Sequence, residues 1–144
     1  MDNTAYQELY QAILKRANLS GTFTAENGIF VTDVGDGWAE GELLLNSHHM
    51  NPMNIVHGGC LCTMMDQVAG AAACTRGDAC RTINCDIRYL NPSSAGQLHC
   101  RAEAIHMGRG TAVFHAQVTD EQGSICAEGT YTFRLKANAH PIEV

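Results

Sequence analysis

The chain has 144 residues, 45% of them hydrophobic and 17% charged, with a formal net charge of −6. That is enough apolar material for one packed domain. The acidic balance argues against nucleic acid as the partner, which needs a basic face, and weakly against an anionic membrane surface, but a few local Arg or Lys residues can still meet a phosphate-bearing small molecule.

The opening Met1-Asp2-Asn3-Thr4 is polar and acidic where a secretory signal has a basic start, so a cytoplasmic protein is expected. Tyr6 to Ala17 is the first predicted helix, because Tyr6, Leu9, Tyr10, Ile13 and Leu14 recur at i, i+3, i+4 spacing and Asn3 or Thr4 can cap it. Gly28 to Val34 and Trp38 to Leu45 read as two strands around Gly35-Asp36-Gly37. An irregular polar loop, Asn46 to Pro52, leads into a second helix from Gly58 to about Arg76-Gly77. This helix is apolar almost all round, as expected of one buried against a sheet. It is too short for a comfortable membrane span and carries Asp66 and Gln67 at its centre.

Period-2 patterning follows. Ile83, Cys85, Ile87 and Tyr89 form one inward set, and Leu98, Cys100, Ala102 and Ala104 the next. Ala112, Phe114, Ala116 and Val118, then Ile125, Ala127, Tyr131 and Phe133, complete a meander of four strands. One long helix on an antiparallel sheet is an α+β arrangement. The seven cysteines are odd in number and lie mostly in apolar runs, so they read as reduced thiols packed as small hydrophobes.

Asp66 is the most informative residue, an acid in the middle of a helix that should otherwise be buried. Burying a carboxylate is costly unless it is paired, so it is either a structural anchor or a poised base or nucleophile. Ahead of it, His57-Gly58-Gly59 opens the helix. The first N–H groups there lack intrahelical acceptors, and the glycines let a ligand approach closely; the macrodipole adds positive character. The result is a potential hole for an oxyanion, although a glycine pair can also serve close packing. At about 1.5 Å per residue, Asp66 lies roughly 12 Å beyond Gly58. The two therefore serve one carbonyl only across two subunits.

Asn51, then His57-Gly58-Gly59 six residues later, then Asp66 nine residues after the His, resemble the PaaI-like hotdog-fold acyl-CoA thioesterases. Arg81 to Pro92 resembles that family's third strand and Gly123 to Phe133 its last, so the resemblance covers about residues 25 to 136. It implies a single hotdog thioesterase domain over 1–144: an N-terminal helix within 1–20, a core of a long central helix wrapped by a six-stranded antiparallel sheet over 21–136, and a tail over 137–144. It further implies Gly58 as the main oxyanion donor, with Gly59 beside it, and Asp66 of the facing subunit as general base or nucleophile. Asn51 would orient water or the thioester, His57 would brace the loop, and Thr82 would sit beside the acid. Asn54 stands where relatives often have Gly, at a turn that needs φ > 0, which Asn tolerates.

The implied partners are an acyl-CoA substrate and further copies of the chain, a dimer at least and a tetramer as the family usually shows. No metal and no cofactor are implied. Arg109, Arg134 and Lys136 are candidates for the CoA phosphates, and Met50, Met53, Met64 and Met65 for the acyl group. The rival readings are a thiol nucleophile or metal site at Cys60 and Cys62, a metal site at His48-His49, a hotdog dehydratase, and a non-catalytic acyl-CoA-binding sensor. Cys60 and Cys62 point about 200° apart on a helix, and no second pair has metal-ligand spacing.

Overall fold

The structure is a computed structural model describing residues 2–137. Helix α1 spans Asn3–Ala17, and its cap is Asp2 in place of the expected Asn3 or Thr4, its carboxylate accepting the Ala5 N–H at 2.9 Å. Leu9 and Ile13 bury the inner stripe. A short helix not expected from the sequence, α2 (Phe23–Glu26), follows. β1 (Ile29–Gly35) and β2 (Trp38–Leu44) form a hairpin through a turn in which Gly37 takes φ 75°. Asn18, just past α1, fastens to β1 as a strand would: its amide donates to the Val31 carbonyl (2.8 Å) and accepts the Val31 N–H (2.9 Å).

Within the polar loop, Ser47–His49 forms one 3-10 turn. Helix α3 spans Gly58–Ala73, and the chain turns through Gly77 (φ 90°) into β3 (Ala79–Tyr89), β4 (Gln97–Met107), β5 (Thr111–Thr119) and β6 (Ile125–Lys136). All strand pairs are antiparallel, in the order β1-β2-β4-β5-β6-β3. α3 packs on all six strands, so the sheet wraps it as expected of a hotdog unit. The N-terminal helix falls within its expected 1–20, whereas the expected tail lies, beyond residue 137, outside the described residues.

The core forms where Leu61, Met64, Met65, Val68, Ala69, Ala72 and Ala73 of α3 meet Leu98, Phe114, Val118, Tyr131 and Phe133. β2 passes so close to α3 that a side chain on Gly41 would come within 2.6 Å of Val68. The helix is not buried all round. Cys62, Thr63, Asp66, Gln67 and Gly70 form a half-buried stripe at i, i+3, i+4 spacing on the side away from the core.

Strict alternation breaks in β1, at a register shift between Val31 and Asp33, and in β3 and β4, where it alters the expected inward sets. β3 lies at the sheet edge and is mostly exposed, with Ile83 60% and Tyr89 53% accessible, so the expected inward set is not enclosed within the chain. A bulge leaves Ile83 without a partner between Thr82↔Phe133 and Asn84↔Thr132. In β4, Leu98, Cys100 and Ala102 are buried as expected, but Ala104 is exposed beside a second bulge.

Candidate active site

The loop before α3 is built around Asn51. Its N–H donates to the Ile55 carbonyl (2.8 Å), and its carbonyl accepts from the Asn54 N–H (2.9 Å). Its side-chain oxygen accepts the N–H groups of Met53 (2.9 Å) and Ile55 (3.3 Å). Asn54 has φ 60°, the left-handed conformation expected for that position. The loop is pinned at its far end, where the Val56 N–H donates to the Ser93 carbonyl and the His57 N–H to the His49 carbonyl, both at 2.8 Å. His49 is buried, with Nδ1 accepting the Asn46 N–H and Nε2 2.6 Å from the Asn27 carbonyl. It is a structural histidine. Among the described residues, no group of three or more His, Cys, Asp or Glu is placed to hold a metal ion.

His57 caps α3, its Nδ1 accepting the Gly59 N–H at 2.8 Å. The N–H groups of Cys60 and Leu61 both donate to the His57 carbonyl (2.9 and 3.3 Å). Of the first-turn donors, only the Gly58 N–H has no acceptor among the described residues. A side chain on Gly58 would come within 3.2 Å of the Tyr89 ring, so glycine keeps this start open beside the aromatic. Burial pushes the Cys60 thiol above its ordinary value, against a thiolate nucleophile there.

Asp66 lies two turns further along the half-buried stripe. The Thr82 hydroxyl donates to its carboxylate at 2.6 Å. Thr82 and Asp66 line two adjoining cavities of about 600 and 590 Å³, sharing Arg16, Ala17 and Gln67 as common walls. Gln67 donates to the Ala17 carbonyl at 2.8 Å and so holds the end of α1 over the acid. From below, the buried Tyr131 hydroxyl donates to the Cys62 carbonyl at 2.8 Å, on the turn of α3 that precedes Asp66.

The helix start opens elsewhere. His57 and Gly59 line a third cavity of about 210 Å³, which meets the second only at Phe23 and Thr63. Thus the structure joins Asp66 to Thr82 and joins His57 to Gly58 and Gly59, but keeps the two groups in separate openings of one chain. Asn51 belongs to the loop that shapes the second group. Met64 and Met65 are fully buried and line none of the three cavities, because their positions on α3 face the sheet.

Arg109, Arg134 and Lys136 are all exposed near one end of the sheet. The Leu135 N–H donates to the Gly110 carbonyl, tying the Arg109 turn to β6, and Arg134 stands opposite Arg81 of β3 and Thr111 of β5. Sequence reasoning missed Arg16, Arg81, Gln67 and Tyr131 around the acid. Tyr131 carried a usable signal, since a buried tyrosine hydroxyl needs a partner.

A family model described as the thioesterase superfamily matches residues 53–127, just over half of the chain and including Gly58, Asp66 and Thr82. The chain belongs to the thioesterase superfamily. It is accordingly a thioester hydrolase. Among solved structures, a conserved protein of Pseudomonas aeruginosa is 28% identical, with a TM-score of 0.79 over 85% of this chain and 98% of that one. A variant of the phenylacetic acid degradation protein PaaI from Thermus thermophilus is 27% identical, with a TM-score of 0.73 over 78% and 96%. The Escherichia coli PaaI protein shares the fold at a TM-score of 0.81, with 22% identity over 90% and 96%. The hotdog fold and the PaaI-like character of this superfamily member rest on these likenesses. Among the described residues, no helix is long and apolar enough to cross a membrane.

Proposed function

We propose that this thioester hydrolase acts on acyl-CoA, releasing free acid and CoA from an aryl- or medium-chain thioester in the cytoplasm, without a metal or cofactor. The observation that carries the reading is Asp66: the one charged residue of α3, held at 2.6 Å by Thr82 and open to cavities of about 600 Å³. A loose structural carboxylate would need no such opening.

The reaction divides between the two groups of residues. Asp66 takes the proton of a water that attacks the thioester carbon, or attacks that carbon itself. The oxyanion that forms is met by the Gly58 N–H, the unpaired donor at the positive end of α3. Collapse of the tetrahedral intermediate expels the CoA thiolate. Within one chain, Asp66 and the helix start face different cavities, so the partner subunit's Gly58 supplies the donor. The exposed edge β3, with Ile83 and Tyr89 uncovered and Tyr89 against Gly58, is the surface along which two copies pair. Two such dimers make the tetramer.

Asn51 and His57 act through the loop, fixing where the Gly58 N–H points, and Gly59 leaves room beside it. Arg109, Arg134 and Lys136 meet the CoA phosphates at the end of the sheet. With Met65 in the core, Met53 (74% exposed) and the half-buried Met50 are the methionines left to touch an acyl group.

The test is CoA release from a panel of aryl- and alkyl-CoA thioesters by wild type and Asp66→Asn, with CoA read chromatographically. Turnover by the wild type with a loss of about a hundredfold or more in the variant upholds the reading, and the panel names the acyl class. Binding of acyl-CoA without hydrolysis by either protein replaces it with a non-catalytic acyl-CoA sensor. A single turnover in ¹⁸O-water that leaves label in Asp66 identifies a nucleophilic carboxylate whose acyl anhydride water opens at the Asp66 carbonyl.

A further inference from the structure

Cys74 caps the C-terminal end of α3, and Cys80 is the second residue of β3. The turn between them brings the two sulfurs to 3.7 Å. All seven cysteines are free thiols, yet this is a paired arrangement that packing alone does not require. Both residues are half-buried, and both line the cavity that holds Asp66 and Thr82. Cys80 is steadied from the other side, its sulfur 3.4 Å from the Gly70 carbonyl, one turn before Cys74 on the same helix.

The two thiols differ in character. The Cys74 thiol is held below its ordinary value, chiefly by its hydrogen bond with Cys80 and with help from the positive charge of Arg16, against the opposing effect of burial. The Cys80 thiol is pushed far up, first by its hydrogen bond with Cys74 and then by burial. One sulfur is therefore the readier thiolate, and the other is placed to resolve what forms on it.

We propose that Cys74 and Cys80 are an oxidant-reactive dithiol that closes to a reversible intrachain disulfide when the protein meets a hydroperoxide, and that closure slows thioester hydrolysis at the adjoining Asp66. The second half rests on the reading of Asp66 given above. In the first step the Cys74 thiolate attacks a peroxide oxygen and the O–O bond breaks. Cys74 becomes a sulfenic acid, and the departing oxygen leaves as water or alcohol once protonated. In the second step the Cys80 sulfur attacks the Cys74 sulfur, the S–O bond breaks, and the Cys80 proton leaves with the hydroxide as water. Two electrons pass from the dithiol to the peroxide, and a thiol reductant returns them. The covalent distance of about 2 Å is reached by drawing the 74–80 turn inward, toward the cavity wall. That movement ties β3, which carries Thr82, to the end of the helix that carries Asp66.

The experiment treats the reduced full-length chain with hydrogen peroxide, alkylates the remaining thiols, and digests with trypsin without reduction. Cleavage after Arg76 and Arg81 places Cys80 alone on the short peptide Gly77–Arg81. The expected result is that peptide joined to the one ending at Arg76, with fragmentation placing the bond at Cys74, and no such species from Cys74→Ser or Cys80→Ser. A Gly77–Arg81 peptide that stays alkylated, or that joins to Cys60 or Cys62, overturns the proposal. Hydrolysis measured on portions of the oxidised protein withdrawn before alkylation and digestion should fall several-fold in proportion to the crosslinked fraction and return with dithiothreitol. A crosslink that leaves the rate unchanged overturns the coupling to Asp66. A reduced protein that hydrolyses no thioester counts against the Asp66 reading instead, while the peptide map still decides the disulfide.

Discussion

Thr82 donates to Asp66 at 2.6 Å only because the bulge at Ile83 shifts the parity of β3. Before the bulge the residues on the helix side are Cys80 and Thr82, opposite Leu135 and Phe133; after it they are Cys85, Ile87 and Tyr89, opposite Tyr131, Gly129 and Ala127. One inserted residue thus lets the strand present a hydroxyl to the acid and an apolar run further along.

Removing that hydroxyl tests its part in the reaction. A hydrogen bond to a charged group contributes about 1.5–3 kcal/mol, less where solvent reaches it as here. Thr82→Val should lower kcat about tenfold, while Thr82→Ser keeps most of the rate. Equal activity in both variants, measured by steady-state CoA release, would remove Thr82 from the site.

Subunit sharing has a direct genetic test. Gly58 is the first residue of α3, where proline is tolerated and lacks the N–H in question. Gly58→Pro and Asp66→Asn should each be nearly inactive alone. Mixed and reassembled, they should regain hydrolysis, because one site of each heterodimer then combines an intact Asp66 with the intact Gly58 of the partner subunit. Mixtures no more active than their components would put both groups on one chain.

Thr75 is a structural counterpart. It is fully buried, accepts the Gly37 N–H at 3.0 Å and donates to the Ala72 carbonyl at 2.7 Å, joining the β1–β2 turn to the end of α3. Thr75→Val leaves the buried Gly37 N–H unpaired and should cost about 1–3 kcal/mol of stability. A lower urea midpoint at unchanged kcat per folded molecule is the expected pattern.

On the outer sheet face, the Arg101 hydrogen bond holds the Glu40 carboxyl below its ordinary 4.5, with His99 adding to the effect against a smaller contribution from burial. A carboxylate depressed in the folded state stabilises the fold above its unfolded value. That contribution is lost as pH falls through the depressed one. Glu128, lowered first by its hydrogen bond with His115, has the same sign. Urea midpoints taken between about pH 6 and pH 3 should fall with acid in the wild type and less steeply in Glu40→Gln.

Helices α1 and α3 and the six strands were legible because their periodicities of 3.6 and 2 survive in the sequence, whereas the single turn of α2 is too short to show one. Asp66 stood out as a charge among apolar neighbours. What periodicity does not carry is the bulge, since Ile83 looks like any inward residue of an alternating strand. Thr82 was placed beside the acid by resemblance to a family, against the alternation of its own strand. Met65 failed as a ligand contact for the opposite reason. Its composition suited an adaptable pocket, but its helical phase, which was readable, put it on the core side. Arg16 and Gln67 come together with Asp66 through the docking of α1, a contact between distant segments that no local pattern encodes.

The cap that His57 places on Gly59 also settles the direction in which that imidazole can speak to a ligand. With Nδ1 accepting a backbone N–H, the neutral ring carries its hydrogen on Nε2. Toward the small cavity that it lines, His57 is therefore a giver only. It suits an ester, carboxylate or phosphate oxygen and is mismatched to an amine or an amide N–H. On the reading proposed above, the ring N–H of His57 adds a second kind of donor to the backbone N–H of Gly58 at the start of α3, a pairing matched to an oxygen acceptor.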